Sequence, residues 1–518
     1  MTDAKREWRE PADQHPSRLA LALVLVAAAF LRFWALPHGI PFSVQVDEPE
    51  VLERAVRMMK TADFNPHFFD YPTLYMYVEV VVSVFRFLVG AMRGEFASLA
   101  EATGADFYLW GRAVTAALGT ATVFLIYRAG MRWGALTALL GAVLLAVMPL
   151  HVRESHYVLT DVPVTFFVTL TFLLTLRAHE RATVRAFAVA GVAAGLAAAT
   201  KYNGGLALVM PLLAWAMTPA LRPSRFAALF SIVAGAMAAF LAAAPYTFLD
   251  LPTFLNQFAR LSSEYRLPSA TLEPIWLIYL KHLRNALAWP GSLLVVVGIV
   301  LGIVRIATGP ARIDWVLATV FPLLYFRFIS KQNIVYGRYL LPLVPFLSLL
   351  AAAGVVWIVG RLRGLGLPRG PRNLAIVVLA LAAIAPPAYN AIQFDANEAK
   401  VWTTEQAYNW ILREVPKGSS RVTMESRQIL LPPEYHPAYL PQLRLHAFEY
   451  YDAQGIDYLV ASSQSYGIYF DTKNNGPQNH PSEYADYQRI FQQAREVARF
   501  TPSSDHPGPE LRILKVKP

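Results

Sequence analysis

The chain has 518 residues, 55% of them hydrophobic and only 16% charged, against about a quarter charged in soluble domains. A mean hydropathy of +0.36 over this length requires several apolar runs long enough to cross a bilayer, which excludes an ordinary soluble enzyme and any disordered or collagenous chain. The absence of cysteine excludes disulfides, thiolate metal sites and a cysteine nucleophile, and the net charge of +10 has to be read from where the cations sit.

An N-terminal arm, residues 1–17, carries Lys5, Arg6 and Arg9, and with Arg18 precedes an apolar run from Leu19 to Leu36. This pattern predicts a cytoplasmic arm, a first span and an outer loop at 37–105. In that loop Asp47 and Glu48 open an amphipathic segment marked by Leu52, Ala55, Val56 and Met59. Two acids there would cap a helix and complement its dipole, worth about 1 kcal/mol. Next come His67, Asp70 and Tyr71 before Pro72, a weak metal signal and candidates for lining a site. Residues 74–92 are apolar but hold Glu79 and Arg86, so they read as a helix lying in the outer interface.

Later arginines cluster at alternate ends of apolar runs: Arg128 and Arg132; Arg177, Arg181 and Arg185; Arg222 and Arg225; Arg305 and Arg312; Arg361, Arg363, Arg369 and Arg372. These mark inner loops, so the positive charge encodes topology and nucleic acid is not an expected partner. Between the clusters lie spans near 106–127, 134–150, 161–177, 186–200, 203–218, 227–244, 291–307, 313–329, 339–359 and 374–393. With the first, this predicts eleven membrane helices in a domain covering 18–393, N-terminus inside and C-terminus outside. Segment 394–518 has 13 Lys or Arg, 15 Asp or Glu and no apolar run long enough to span. It predicts an outer α/β domain with strands in SRVTMES, DYLVASS and LRILKVK, a helix over 482–499, and loop in the Tyr-rich stretch 432–481.

Charges at membrane helix ends are expensive and point to function. Asp161 heads an outer-to-inner span, and Arg153, Lys201 and Arg338 fall at outer span ends by the same topology. Carboxylates beside several cations suit a phosphate held at the membrane surface. Glycine-rich phosphate loops, His-x-x-x-His pairs and serine nucleophile elbows are missing from the sequence, so nucleotide-driven chemistry has no support.

The strings VDEPEVLERA, FDYPTLYMYV, YLWGRAVTAALGTATVFLIYRAG, ESHYVLTDVPVTFFVTLTFLL, GLAAATKYNGGLALVMPLL and GRYLLPLVPFLSLLAA, in this order, resemble bacterial membrane glycosyltransferases of the GT-C fold, related to protein O-mannosyltransferases and the lipid A aminoarabinose transferase. The resemblance implies a polyprenyl-phosphate-linked hexose or pentose as donor, a hydroxyl acceptor on protein, lipid or glycan, and inverting transfer at the outer face of the cytoplasmic membrane. It implies Asp47 as catalytic base or acceptor-positioning group, Glu48 as its companion, Asp161 as the second-loop acid, and Lys201 and Arg338 as donor-phosphate contacts. Some relatives carry Glu-Lys-Pro where this chain has Asp70-Tyr71-Pro72, so one phosphate-binding lysine is missing. A phosphate leaving group needs cations more than a general acid, which favours one base plus Lys and Arg. No cofactor is identified, and Asp47, Asp161 and a donor phosphate could together hold a divalent cation. A transporter or flippase for a lipid-linked glycan is the alternative, but no repeat of the two halves is visible and the costly residues lie at outer ends instead of the midplane.

Overall fold

The computed structural model describes residues 18–42, 45–266, 273–308, 312–364, 368–425 and 429–516. The arm 1–17, with Lys5, Arg6 and Arg9, lies outside the described residues. The chain forms two compact units, one of residues up to Leu36, Val51–Ala102 and Trp110–Phe394, the other of Pro37–Glu50, Thr103–Leu109 and Asp395–Pro518.

The first unit is helical. Among the described residues seven helical segments are long and apolar enough to cross a membrane, including Asp161–Arg181, Arg225–Ala243, Ile275–Thr308 and Gly337–Leu362. Three runs expected to span form shorter apolar helices, Ala135–Ala146, Val184–Thr200 and Tyr202–Ala216, so the count of eleven is not reproduced by length. Leu74–Met92, expected in the interface, has the length and hydropathy of a span. Its interior charges are accommodated by Glu79 being buried and by Arg86 pairing with Glu95 at 2.7 Å. Between Arg225–Ala243 and Ile275–Thr308 lies an amphipathic helix, Leu251–Glu264, that hydropathy alone did not indicate.

Helices Val184–Thr200 and Arg225–Ala243 pack at backbone contact. A Cβ on Gly191 would lie 2.3 Å from the Ile232 carbonyl oxygen, and one on Gly195 2.2 Å from that of Ala236. This four-residue spacing of glycines lets apolar helices approach where no solvent drives them together.

The second unit contains a five-stranded sheet. Its strands are β1 (Val422–Glu425), β2 (Ala438–Leu440), β3 (Tyr458–Ser462), β4 (Arg495–Phe500) and β5 (Leu511–Lys515), in the order β2-β1-β3-β5-β4. β1 is parallel to β2 and β3, whereas β5 runs antiparallel to β3 and β4. Alternation along the strands divides the core. Met424, Val460 and Ile513 pack with Ile411 of helix Thr403–Glu414; Leu459, Ala461 and Leu514 pack with Tyr466, Tyr487 and Ile490 of helices Ser463–Phe470 and Pro481–Gln493. Two expectations change. The helix over 482–499 stops at Gln493, and 495–500 is strand β4 because it pairs with β5; the stretch 432–481, besides the strand β3 expected at DYLVASS, is not loop but carries β2 and helices Phe448–Ala453 and Ser463–Phe470.

Candidate functional site

Asp161 is the first residue of its helix and is buried. Lys201 follows the last residue of helix Val184–Thr200, where extended backbone (φ −154°, ψ 133°) separates it from the 3-10 turn Tyr202–Leu208. Arg338 lies in the 3-10 turn Gly337–Leu343 that precedes the next helix. All three charges sit where regular helix begins or ends, so the chain can place them without breaking a hydrogen-bonded turn in the apolar interior.

The three converge. Lys201 Nζ donates to Asp161 Oδ1 at 2.6 Å, and Arg338 Nε lies 3.7 Å from Oδ2. Both cations are buried and rest on aromatic faces: Lys201 Nζ is 4.7 Å from the Tyr339 ring centre and 5.7 Å from that of Tyr71, and Arg338 lies over Tyr336 at 4.5 Å. The Tyr339 and Tyr265 hydroxyls are 2.8 Å apart. Such surroundings lower the local dielectric and strengthen every interaction of these charges. Two cations around one carboxylate leave a net positive charge, suited to an added anion. Arg153 interacts electrostatically with Arg338, but its guanidinium is engaged by Glu154, Nε to Oε1 at 2.9 Å.

His67 and Asp70 do not join this cluster. His67 pairs with Asp63 at 2.9 Å and holds that carboxyl below its ordinary range through the hydrogen bond, while Asp70 accepts from Arg260 at 2.6 Å. Contacts of this kind fasten the 63–71 loop to residues 250–260. Asn65 donates to Asp250 at 2.8 Å, and Gln257 accepts from the Phe69 N–H at 2.7 Å. Tyr202 donates to the Phe69 carbonyl at 2.9 Å, which ties the same loop to the residue beside Lys201.

Asp47 and Glu48 belong to the second unit. Glu48 is buried and opens helix Glu48–Thr61. Its Oε2 accepts the Gln45 N–H at 2.9 Å, and the Asp47 N–H donates to Gln45 Oε1 at 2.6 Å. Glu48 thereby locks the turn that presents the half-buried Asp47. Among the described residues no group of three or more His, Asp or Glu side chains is arranged to hold a metal ion, and the Asp161 oxygens face cations instead of further donors.

Residues 20–258 match the dolichyl-phosphate-mannose-protein mannosyltransferase family. The chain is also similar over 96% of its length, and 98% of the other chain, to ArnT from Cupriavidus metallidurans bound to undecaprenyl phosphate, at 14% identity and a TM-score of 0.55. The chain has the GT-C glycosyltransferase fold. A second GT-C structure, the oligosaccharyltransferase AglB from Archaeoglobus fulgidus in complex with an inhibitory peptide and a dolichol-phosphate, is similar over 89% of this chain and 72% of its own, at 13% identity and a TM-score of 0.54. No curated protein sequence matches the chain significantly. The family match contains Asp47, Glu48, His67, Asp70, Tyr71, Arg153, Asp161 and Lys201 but not Arg338, which only the fold brings to Asp161.

Sequence reasoning missed Tyr339, Tyr265 and Glu154. Tyr339 and Glu154 directly follow Arg338 and Arg153, so a search for aromatics and counter-charges adjacent to each candidate cation would have found them. Tyr265 carries no such signal, because it reaches Tyr339 from the end of a helix that hydropathy does not reveal.

Proposed function

We propose that this protein transfers a sugar from a polyprenyl-phosphate donor to a hydroxyl acceptor at the outer face of a bacterial cytoplasmic membrane, with inversion. The observation that carries this reading is the buried Asp161–Lys201–Arg338 cluster within a GT-C fold. A polyprenyl-phosphate sugar is a phosphodiester with one negative charge, which balances the excess positive charge of that cluster. As the bond between the anomeric carbon and the phosphate oxygen breaks, negative charge grows on the departing phosphate. Lys201 and Arg338 are held ready for it and need no reorganisation. Arg153, held against Glu154, lies at the same end and adds little net charge.

Asp47 is the base. It takes the acceptor hydroxyl proton while the oxygen attacks the anomeric carbon opposite the phosphate, giving glycosylated acceptor and polyprenyl phosphate. Glu48 positions it by fixing the turn. Asp161 positions the two cations, since its oxygens are already engaged. Tyr71 acts through Lys201, and His67 and Asp70 shape the loop. The N-terminus is cytoplasmic and residues 394–518 form an outer domain in this reading.

The test is release of polyprenyl phosphate from a panel of labelled polyprenyl-phosphate sugars, in membranes holding wild type or Asp47→Asn at matched abundance with a cell-envelope extract as acceptor. Wild type turns over one donor, and Asp47→Asn loses about 10²–10⁴-fold, the usual worth of general base catalysis. Undiminished turnover by Asp47→Asn would remove the base assignment. Movement of a lipid-linked sugar between leaflets without release would replace transfer with transport.

A further inference from the structure

At the other end of helix Asp161–Arg181, its last turn and the start of helix Val184–Thr200 enclose a cavity of about 380 Å³ lined by Arg177, Arg181, Arg185, Thr183, Leu174 and Val189, among others. Its lining contains no carboxylate; Glu180, on the same turn, is paired with Arg132. The helix is twenty-one residues long, about 30 Å from end to end at about 1.5 Å per residue. The cavity and the Asp161 cluster therefore face opposite membrane surfaces. A signal for orientation needs arginines near a helix end but does not need them around one cavity.

Three features of this turn are unfavourable without an anion. Arg177 and Arg181 are four residues apart on one helix face, where like charges repel. Arg185 stands in the first turn of its helix, which has no acid, so a cation occupies the positive end of the dipole. Thr183 caps only one first-turn amide, accepting from the Ala186 N–H at 3.3 Å. A phosphate oxygen among the three guanidiniums converts each of these costs into an attraction.

We propose that this cavity binds the phosphate headgroup of an anionic phospholipid from the leaflet opposite the catalytic end. The apolar part of the lining selects a lipid over free phosphate. Leu174 is one turn deeper than Arg177, and the exposed Val189 is one turn deeper than Arg185. Together they offer a track for an acyl chain leading from the guanidiniums towards the bilayer core. Basic pockets between membrane helices recognise headgroups in this way.

The experiment uses the full-length, delipidated protein in detergent, titrated with phosphatidylglycerol or phosphatidylcholine and read by native mass spectrometry. Wild type retains one phosphatidylglycerol at concentrations where phosphatidylcholine is not retained. The variant R177Q/R181Q/R185Q binds it at least about tenfold more weakly, having lost the charge-assisted contacts, whereas R128Q/R225Q/R305Q, with the same change in charge, stays within about twofold. Equal weakening of both variants, or of neither, overturns the proposal. Displacement of the bound lipid by inorganic phosphate at about 5 mM, above a weak-site Kd of about 1 mM, overturns the commitment to a lipid. If the Gln variant does not accumulate, R177K/R181K/R185K keeps every orienting charge but lacks the guanidinium fork; it binds phosphatidylglycerol at least about threefold more weakly, and wild-type affinity there overturns the proposal.

Discussion

Asp161 and Glu425 are both buried carboxylates, one in each compact unit, and their surroundings differ in kind. Asp161 faces two cations, Lys201 and Arg338. Among the described residues Glu425, at the end of β1, takes its hydrogen bonds from neutral donors: the N–H groups of Leu443 and Ser462, each at 2.8 Å, and the Tyr487 hydroxyl. Burial outweighs those hydrogen bonds and pushes the Glu425 carboxyl up to about 7. Glu425 joins β1 to β3 and to helix Pro481–Gln493, with no remaining charge to offer a ligand. At Asp161 two cations face one acid, the charge that the proposed reading sets against a donor phosphate. A buried acid with neutral partners therefore reads as structural, and one outnumbered by cations as functional.

The largest effect tests that distinction at Lys201. Lys201→Met leaves Asp161 buried with a single cation at 3.7 Å, and losing one partner of a buried pair costs about 3–5 kcal/mol. Donor turnover falls by at least about 10²-fold, the worth of one preorganised charge at a developing anion. The double variant Lys201→Met with Asp161→Asn decides between the two roles. It recovers part of the thermal stability in detergent, because the carboxylate left short of a cation is gone although Arg338 loses that acid, but it does not recover polyprenyl phosphate release. Recovery of both would make Lys201 only the counter-ion of Asp161.

Glu425 gives the next effects, read by amide hydrogen exchange of the sheet. Glu425→Ala leaves two N–H groups and a hydroxyl without their acceptor and costs about 3 kcal/mol or more. Glu425→Gln keeps one oxygen and turns an amide against one of the donors, costing about 1–2 kcal/mol. The pH dependence follows from the raised carboxyl. The folded chain binds the proton more tightly than the unfolded one, so this contribution to stability is full below pH 4.5 and is lost as pH rises to about 7, about 3 kcal/mol in all. Subtracting the Glu425→Gln profile from that of wild type isolates it, and a difference that does not vary between pH 4.5 and 7 would show that the carboxyl is not raised.

Much of this was legible in the sequence because hydropathy and helix ends are local properties. Asp161, Lys201 and Arg338 stand out as charges bordering apolar runs, and Glu48 as the acid opening a helix. What escaped depends on long-range pairing. Glu79 and Arg86 suggested an interfacial helix; length and hydropathy alone would also let Leu74–Met92 span, and neither the burial of Glu79 nor the pair of Arg86 with Glu95 is visible in the sequence. In β4, Glu496 and Arg499 have the three-residue spacing of a helical ion pair, and only the pairing of this segment with β5, where Arg512 reaches Glu496, makes it a strand. Tyr265 was hidden because aromatic residues are common at membrane surfaces, and nothing local distinguishes one that reaches Tyr339.

The smallest effect belongs to Asp70. Its pair with Arg260 has the form of a site contact, but the two side chains keep 23% and 48% of their exposure, and ion pairs open to water contribute at most about 1 kcal/mol. Arg260 also retains Glu264 at 2.6 Å, and the loop remains fastened through Asn65, Gln257 and Tyr202. Asp70→Asn is therefore expected to change stability by about 0.5 kcal/mol or less and donor turnover by no more than about threefold, with the difference shrinking further at high salt. A loss of tenfold or more in turnover at unchanged stability would mean that Asp70 meets the substrate directly, and that exposure is a poor guide to which acids in this loop are functional.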